Sequence, residues 1–129
     1  MTGAVVHFEL PTDNTERARK FYKTTFGWNV MPMEGFDYAM LGTSPSNEQG
    51  VPTETGRING GMGPRGGPLS HPVITIHVEN ITATETVIAQ NGGKVVQKRQ
   101  PIGDGTMGFT GYFTDSEGNV VGLYERGKA

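Results

Sequence analysis

Hydrophobic and polar positions alternate with period two over Ala4-Val5-Val6-His7-Phe8-Glu9-Leu10. Ala4, Val6, Phe8 and Leu10 fall on one face and Val5, His7 and Glu9 on the other, the pattern of a half-buried strand. The period then lengthens. Asp13 precedes Glu16 at capping-box spacing, and Ala18, Phe21, Tyr22 and Phe26 recur at helical intervals until Gly27 supplies a C-terminal stop. Trp28 to Met33 and Phe36 to Leu41 read as two strands joined by a turn at Glu34-Gly35, and Arg57 to Met62 as a third strand after a polar loop.

The same order returns in the second half. Pro72 to Val78 alternates, with Ile74, Ile76 and Val78 on the apolar face and Val73, Thr75 and His77 opposite. Asn80 opens a helix through Ile81, Thr84, Val87 and Ile88 that stops at Asn91-Gly92-Gly93. Lys94 to Lys98, Met107 to Thr114 and Asn119 to Glu125 supply three more strands, the last two joined by the turn Asp115-Ser116-Glu117-Gly118-Asn119. A shift of about 66 residues lays Asp13 on Glu79, Asn14 on Asn80 and Gly27 on Gly93, a duplication rather than a solenoid array. The expected architecture is α+β: two tandem βαβββ modules, residues 4–63 and 72–126 with a loop at 64–71, forming one curved mixed sheet around a cleft with helices outside. His7, Glu9, Thr75 and His77 stand on the sheet face away from the helices, where they either line that cleft or are simply solvated.

Size and charge narrow the function. A chain of 129 residues with net charge −2 fits one domain, and its lysines and arginines are scattered rather than gathered into the stripe of a nucleic-acid binder. It contains no cysteine, which excludes disulfides, thiolate metal sites and a cysteine nucleophile. No stretch approaches the roughly 20 apolar residues of a membrane span and no signal-peptide pattern opens the chain, so a cytoplasmic location is expected.

His-Phe-Glu-Leu-Pro at 7 to 11, Glu-Arg-Ala-Arg-Lys-Phe-Tyr at 16 to 22, Phe-Gly-Trp at 26 to 28, Gly-Gly-Lys-Val-Val at 92 to 96 and Asp-Ser-Glu-Gly-Asn-Val-Val-Gly-Leu-Tyr-Glu at 115 to 125 run through nearly the whole chain. In this order and spacing they resemble the vicinal oxygen chelate superfamily, which includes glyoxalase I, extradiol dioxygenases, methylmalonyl-CoA epimerase and the bleomycin and fosfomycin resistance proteins. The resemblance implies paired βαβββ modules with, in the catalytic members, a metal held by one residue from the first and one from the last strand of each module. Here His7 takes the first such position, fifteen residues before Tyr22. The others fall on Val73, on Gly122 and within Asn59 to Met62, where no carboxylate stands.

A lone histidine gives a divalent ion one bond, whereas catalytic sites keep about three protein ligands. The usual metal is therefore not expected, nor is any other cofactor. Recruiting Glu9 and His77 requires a displaced site, since His77 lies four residues past the expected position, about 13 Å at 3.3 Å per residue. His7 is read as a ligand, as a proton-transfer group or as a packing residue, and Glu9 as a general base, a cation-binding group or a solvated carboxylate. His71 is read as a loop residue. Gly122 would widen a pocket and Tyr124 wall it or pack in the core; Phe36, Tyr38, Phe109, Tyr112 and Phe113 share that ambiguity.

The leading functional expectation is a small-molecule-binding protein of the glyoxalase and bleomycin-resistance type, holding an organic ligand in a cleft of His7, Glu9, Thr75, His77, Gly122 and Tyr124. The alternative is a lyase, isomerase or dioxygenase related to lactoylglutathione lyase, working through a displaced divalent metal or through His7 and Glu9 as acid and base. The expected partners are a small organic ligand and, from the resemblance, a second copy in a homodimer, with no nucleic acid and no membrane.

Overall fold

The computed structural model describes residues 2–127. Its chain divides into two compact units: His7–Pro72, and the residues up to Val6 together with those from Val73 on. Strand β1 (Ala4–Thr12) thus begins in one unit and continues in the other. The His7–Pro72 unit adds α1 (Thr15–Phe26), β2 (Asn29–Pro32), β3 (Ala39–Gly42) and β4 (Gly60–Pro64). The other unit holds β5 (Val73–His77), α2 (Ile81–Gln90), β6 (Lys94–Pro101), β7 (Phe109–Thr114) and β8 (Val120–Glu125).

The two units repeat one topology. In His7–Pro72 the strand order is β2-β3-β4-β1, antiparallel except for the pair β1 and β4. In the other unit it is β6-β7-β8-β5, antiparallel except for β5 and β8. A parallel first and last strand needs a long crossover, and in both units the helix supplies part of it. The chain is thus α+β, built of two βαβββ modules.

Helix α1 starts one residue later than the sequence spacing suggests. Asn14, extended at φ −147°, is the N-cap, and its side chain accepts from the Arg17 backbone N–H at 2.9 Å. Asp13 instead accepts from Arg65 Nε at 2.9 Å, because a carboxylate one position before the cap can reach a cation brought up by the chain after β4. Gly27, at φ 72°, closes the helix as expected. Asn80 caps α2 in the same way, accepting from Ala83 N–H, and the Ile81 N–H adds a bond to Glu125 Oε1 at 2.8 Å.

Each unit packs its helix-side face into its own core. Phe8, Leu10, Ala18 and Trp28 cover Val30, Ala39, Leu41 and Met62; Ile76, Ile88, Phe109 and Phe113 cover Val78, Ile81 and Leu123. The alternation of the first strands holds where a helix lies over them, at Phe8, Leu10, Ile76 and Val78. It fails nearer the strand starts, where Val6 and Ile74 remain 40% and 48% exposed. Strand boundaries also move: β6 runs on to Pro101 instead of ending at Lys98, β7 begins at Phe109 instead of Met107, and β3 and β4 begin later than expected. Phe36–Tyr38 belongs to a turn closed by Phe36 N–H to Met33 O and Met33 N–H to Tyr38 O, with Gly35 at φ 82°. Asn59 precedes β4 because its side chain is committed to the preceding loop, accepting from Thr43 N–H and donating to Ser46 Oγ and Gly50 O.

Candidate functional site

In the His7–Pro72 unit the side of the sheet away from α1 follows from strand register. Phe8 and Leu10 point into the helix-side core, so Glu9 between them points the other way, and His7 with it. Glu9 stands opposite Gly61 in the β1/β4 pair, Gly61 opposite Met40 in β3/β4, and Met40 opposite Met31 in β2/β3. His7, Glu9, Gly61, Met40 and Met31 therefore share one face.

Tyr38 lies across the middle of this face. Its hydroxyl is 2.9 Å from His7 Nε2. The ring covers the bare backbone of β4: a Cβ placed on Gly61 would overlap its hydroxyl end, and one on Gly63 would lie 3.1 Å from its Cδ1. Glycine in a strand interior costs roughly 0.5–1 kcal/mol relative to alanine, so two at alternate positions of one strand mark a place where side chains must be absent. Here they make a flat seat for one aromatic ring, and His7 stands at the end where its hydroxyl arrives.

Electrostatics at this seat are set by burial. Desolvation holds the His7 imidazole below its ordinary range, and the smaller pull of the Glu9 carboxylate works in the opposite direction. His7 is therefore neutral at pH 7, with one ring nitrogen able to donate and the other to accept. Glu9 is 8% exposed. A neutral imidazole beside a buried carboxylate and a phenol can exchange hydrogen bonds with a polar ligand group and can accept a proton.

The remaining predicted residues gather in the other unit. Thr75 pairs with Gly122 and His77 with Tyr124 across β5 and β8, which puts all four on one face. Thr75 is 6% exposed, and its Oγ1 lies 2.8 Å from where a Gly122 Cβ would stand, so the space left by this glycine is occupied by a hydroxyl. The Tyr124 hydroxyl donates to Met107 O at 2.8 Å, and its ring centroid lies 6.2 Å from that of His77. His77, Glu79 and Arg126 border a shallow surface depression of about 220 Å³. His71 is exposed in the segment before β5.

Among the described residues no three of His, Cys, Asp and Glu stand close enough to hold a metal ion. In both units the last-strand residue facing the polar first-strand residue is glycine: Gly61 opposite Glu9, and Gly122 opposite Thr75. The residue on this face that sequence reasoning left unresolved is Tyr38. The glycines at 61 and 63 were the available signal, since alternate bare positions on a strand leave room for a side chain from elsewhere.

Comparison with known proteins agrees with this architecture. The profile described as bleomycin resistance protein-like N-terminal matches residues 4–44. A glyoxylase-like domain-containing protein of Didymella fabae is 30% identical over 128 residues, covering 96% of this chain and 94% of that one. Among solved structures, hypothetical protein BH1468 of Bacillus halodurans C-125 superposes with a TM-score of 0.69 at 13% identity, over 100% of this chain and 98% of that one. Methylmalonyl-CoA epimerase of Streptomyces coelicolor, in complex with 2-nitronate-propionyl-CoA, superposes with a TM-score of 0.67 at 14% identity, over 95% and 96% of the two chains. The full-length relationship to the Didymella protein, the matching N-terminal profile and the duplicated βαβββ fold place this chain in the vicinal oxygen chelate superfamily, among its glyoxalase-like and bleomycin-resistance-like members.

Proposed function

We propose that the chain binds a small organic molecule without a metal ion, for sequestration or carriage, on the face of the His7–Pro72 unit that carries His7, Glu9 and Tyr38. The observation behind this reading is the Tyr38 hydroxyl 2.9 Å from His7 Nε2 over the glycines of β4: a seat that combines a flat apolar floor with a neutral imidazole. Such a mixture of apolar area and a few placed polar groups is what small-molecule sites are made of. Met31 and Met40 extend the apolar part with polarizable side chains that adapt to ligand shape. The face formed by Thr75, His77, Gly122 and Tyr124 in the other unit is proposed as ligand-contacting in its own right. A fold relative in complex with 2-nitronate-propionyl-CoA supports a small organic ligand.

Elemental analysis of protein purified without chelators tests the metal-free part, with substoichiometric divalent metal expected. One tightly held ion per chain overturns it. A thermal-shift panel of acyl-CoA esters and aromatic acids tests binding, with stabilisation by at least one compound that is lost in His7→Ala. Stabilisation retained in that variant moves the ligand away from this face.

A second reading is favoured by one observation, the neutral His7 beside the buried Glu9 carboxylate. In it the pair transfers protons in a lyase or isomerase reaction, with the imidazole accepting the substrate proton. His7→Ala then abolishes turnover while circular dichroism stays unchanged; an unaltered rate removes this reading.

The homodimer and the cytoplasmic location belong to the proposal as well. Phe21 and Phe26 on α1, 54% and 60% exposed in the single chain, support a covered surface in an assembly. No helix among the described residues is long and apolar enough to cross a membrane.

A further inference from the structure

Tyr38 occupies its seat in the manner of a ligand. A planar ring lies on the backbone of Gly61 and Gly63, a single oxygen meets His7 Nε2, and the side chain arrives from the turn before β3, 31 residues away from its partner. A seat that holds a phenol reports what it can recognise: a flat ring carrying one hydroxyl. The chain entering this residue lies at the surface. Glu34 to Asp37 are exposed and Gly35 sits at φ 82°, so the segment before Tyr38 is a surface turn. Ala39, the residue after it, is 2% exposed and anchors β3.

We infer that Tyr38 is an exchangeable internal occupant of the His7 subsite, and that the molecule replacing it is a hydroxyl-bearing planar ring whose oxygen takes over the contact with His7. This rests on the ligand-binding reading above and adds to it both the chemical class of ligand and the step by which the site opens. Binding competes with a side chain, so the apparent affinity is lowered by the fraction of molecules in which the ring is out. When that fraction is a minor population, removing the ring raises affinity by roughly 10- to 100-fold.

The probe is p-cresol, the tyrosine side chain as a free molecule, with toluene as its counterpart lacking the hydroxyl. In the wild-type chain, titration with p-cresol followed by NMR moves the His7 imidazole and Tyr38 ring signals together and leaves those of the exposed His71 in place. Toluene binds several-fold to about tenfold more weakly, the loss of one hydrogen bond. Tyr38→Gly binds p-cresol roughly 10- to 100-fold more tightly than wild type. Tyr38→Phe keeps the ring as a folding control and releases its hold on His7, so it binds p-cresol a few-fold more tightly than wild type.

Two results overturn the inference. In one, p-cresol fills Tyr38→Gly while wild-type His7 signals stay fixed and Tyr38→Phe matches wild type; the ring is then a permanent part of the core. In the other, a compound from the thermal-shift panel moves His7 signals while the Tyr38 ring signals do not change. That second result leaves the binding face in place and removes only the exchange. If no compound moves His7 in any variant, the binding reading fails together with it.

Discussion

Glu9 and Gly61 stand directly opposite one another across the parallel pair β1/β4, and the duplicated module repeats the relationship with Thr75 and Gly122 across β5/β8. In each pair the last strand offers only backbone to the polar residue of the first strand. Neither bare position is empty space. Tyr38 lies over Gly61, and the Thr75 hydroxyl lies over Gly122. The two modules have thus filled equivalent positions by different means, one with a ring from the turn before β3 and the other with the facing side chain itself.

A methyl group at position 61 must therefore displace Tyr38. Gly61→Ala is expected to destabilise the chain by about 2 kcal/mol in urea denaturation, the cost of overpacking a filled site. The double variant Gly61→Ala/Tyr38→Ala should be less destabilised than the sum of its singles by about 1 kcal/mol, because the clash is absent once the ring is gone. Additive effects of the two changes would show that the ring and the glycine do not share one space.

The sequence pattern carried the modules and left the seat unread, for a physical reason. Phe8, Leu10, Ile76 and Val78 announce themselves because a helix covers them, and a covered strand face must be apolar at every second residue. Gly27 announces the end of α1 because a C-cap is local, closed within four residues, whereas the spacing placed the start one residue early, at Asp13 instead of Asn14. Tyr38 has no such local signature. It precedes β3 in a turn, its partner is 31 residues distant, and the strand beneath it, Gly-Gly-Met-Gly-Pro, shows almost no hydrophobic periodicity. His7 was legible as a candidate but not its protonation state, which depends on how much of the folded chain surrounds it.

Asp13 and Asn14 offer a direct test of which residue caps α1. The Asn14 side chain accepts from Arg17 N–H, a backbone donor that the helix leaves unsatisfied, whereas Asp13 pairs with Arg65 at the surface. Asn14→Ala should cost about 1 kcal/mol in chemical denaturation. Asp13→Ala should change stability by less than about 0.5 kcal/mol, since exposed ion pairs are worth little. Equal losses would mean that the cap is shared between the two.

The sharpest consequence of the buried imidazole is a pH dependence whose sign is fixed. His7 titrates below its ordinary value in the folded chain, mainly because burial penalises its charged form, with Glu9 only partly compensating. As pH falls through about 6.5, the unfolded chain takes up a proton at this residue while the folded chain does not, so stability falls with it. The loss continues down to the lowered folded value and stops there; above about pH 7.5 both states are neutral at this position and its contribution is flat. One proton sets a ceiling of about 1.4 kcal/mol per pH unit for the slope. Urea denaturation from pH 8 to pH 5 should therefore show the wild-type chain losing stability more steeply than His7→Gln, with the two curves parallel at the alkaline end. A variant curve that tracks the wild type through pH 6 would mean that His7 takes its proton in the folded chain as readily as in the unfolded one, and that the imidazole facing Tyr38 is charged where the site requires it neutral.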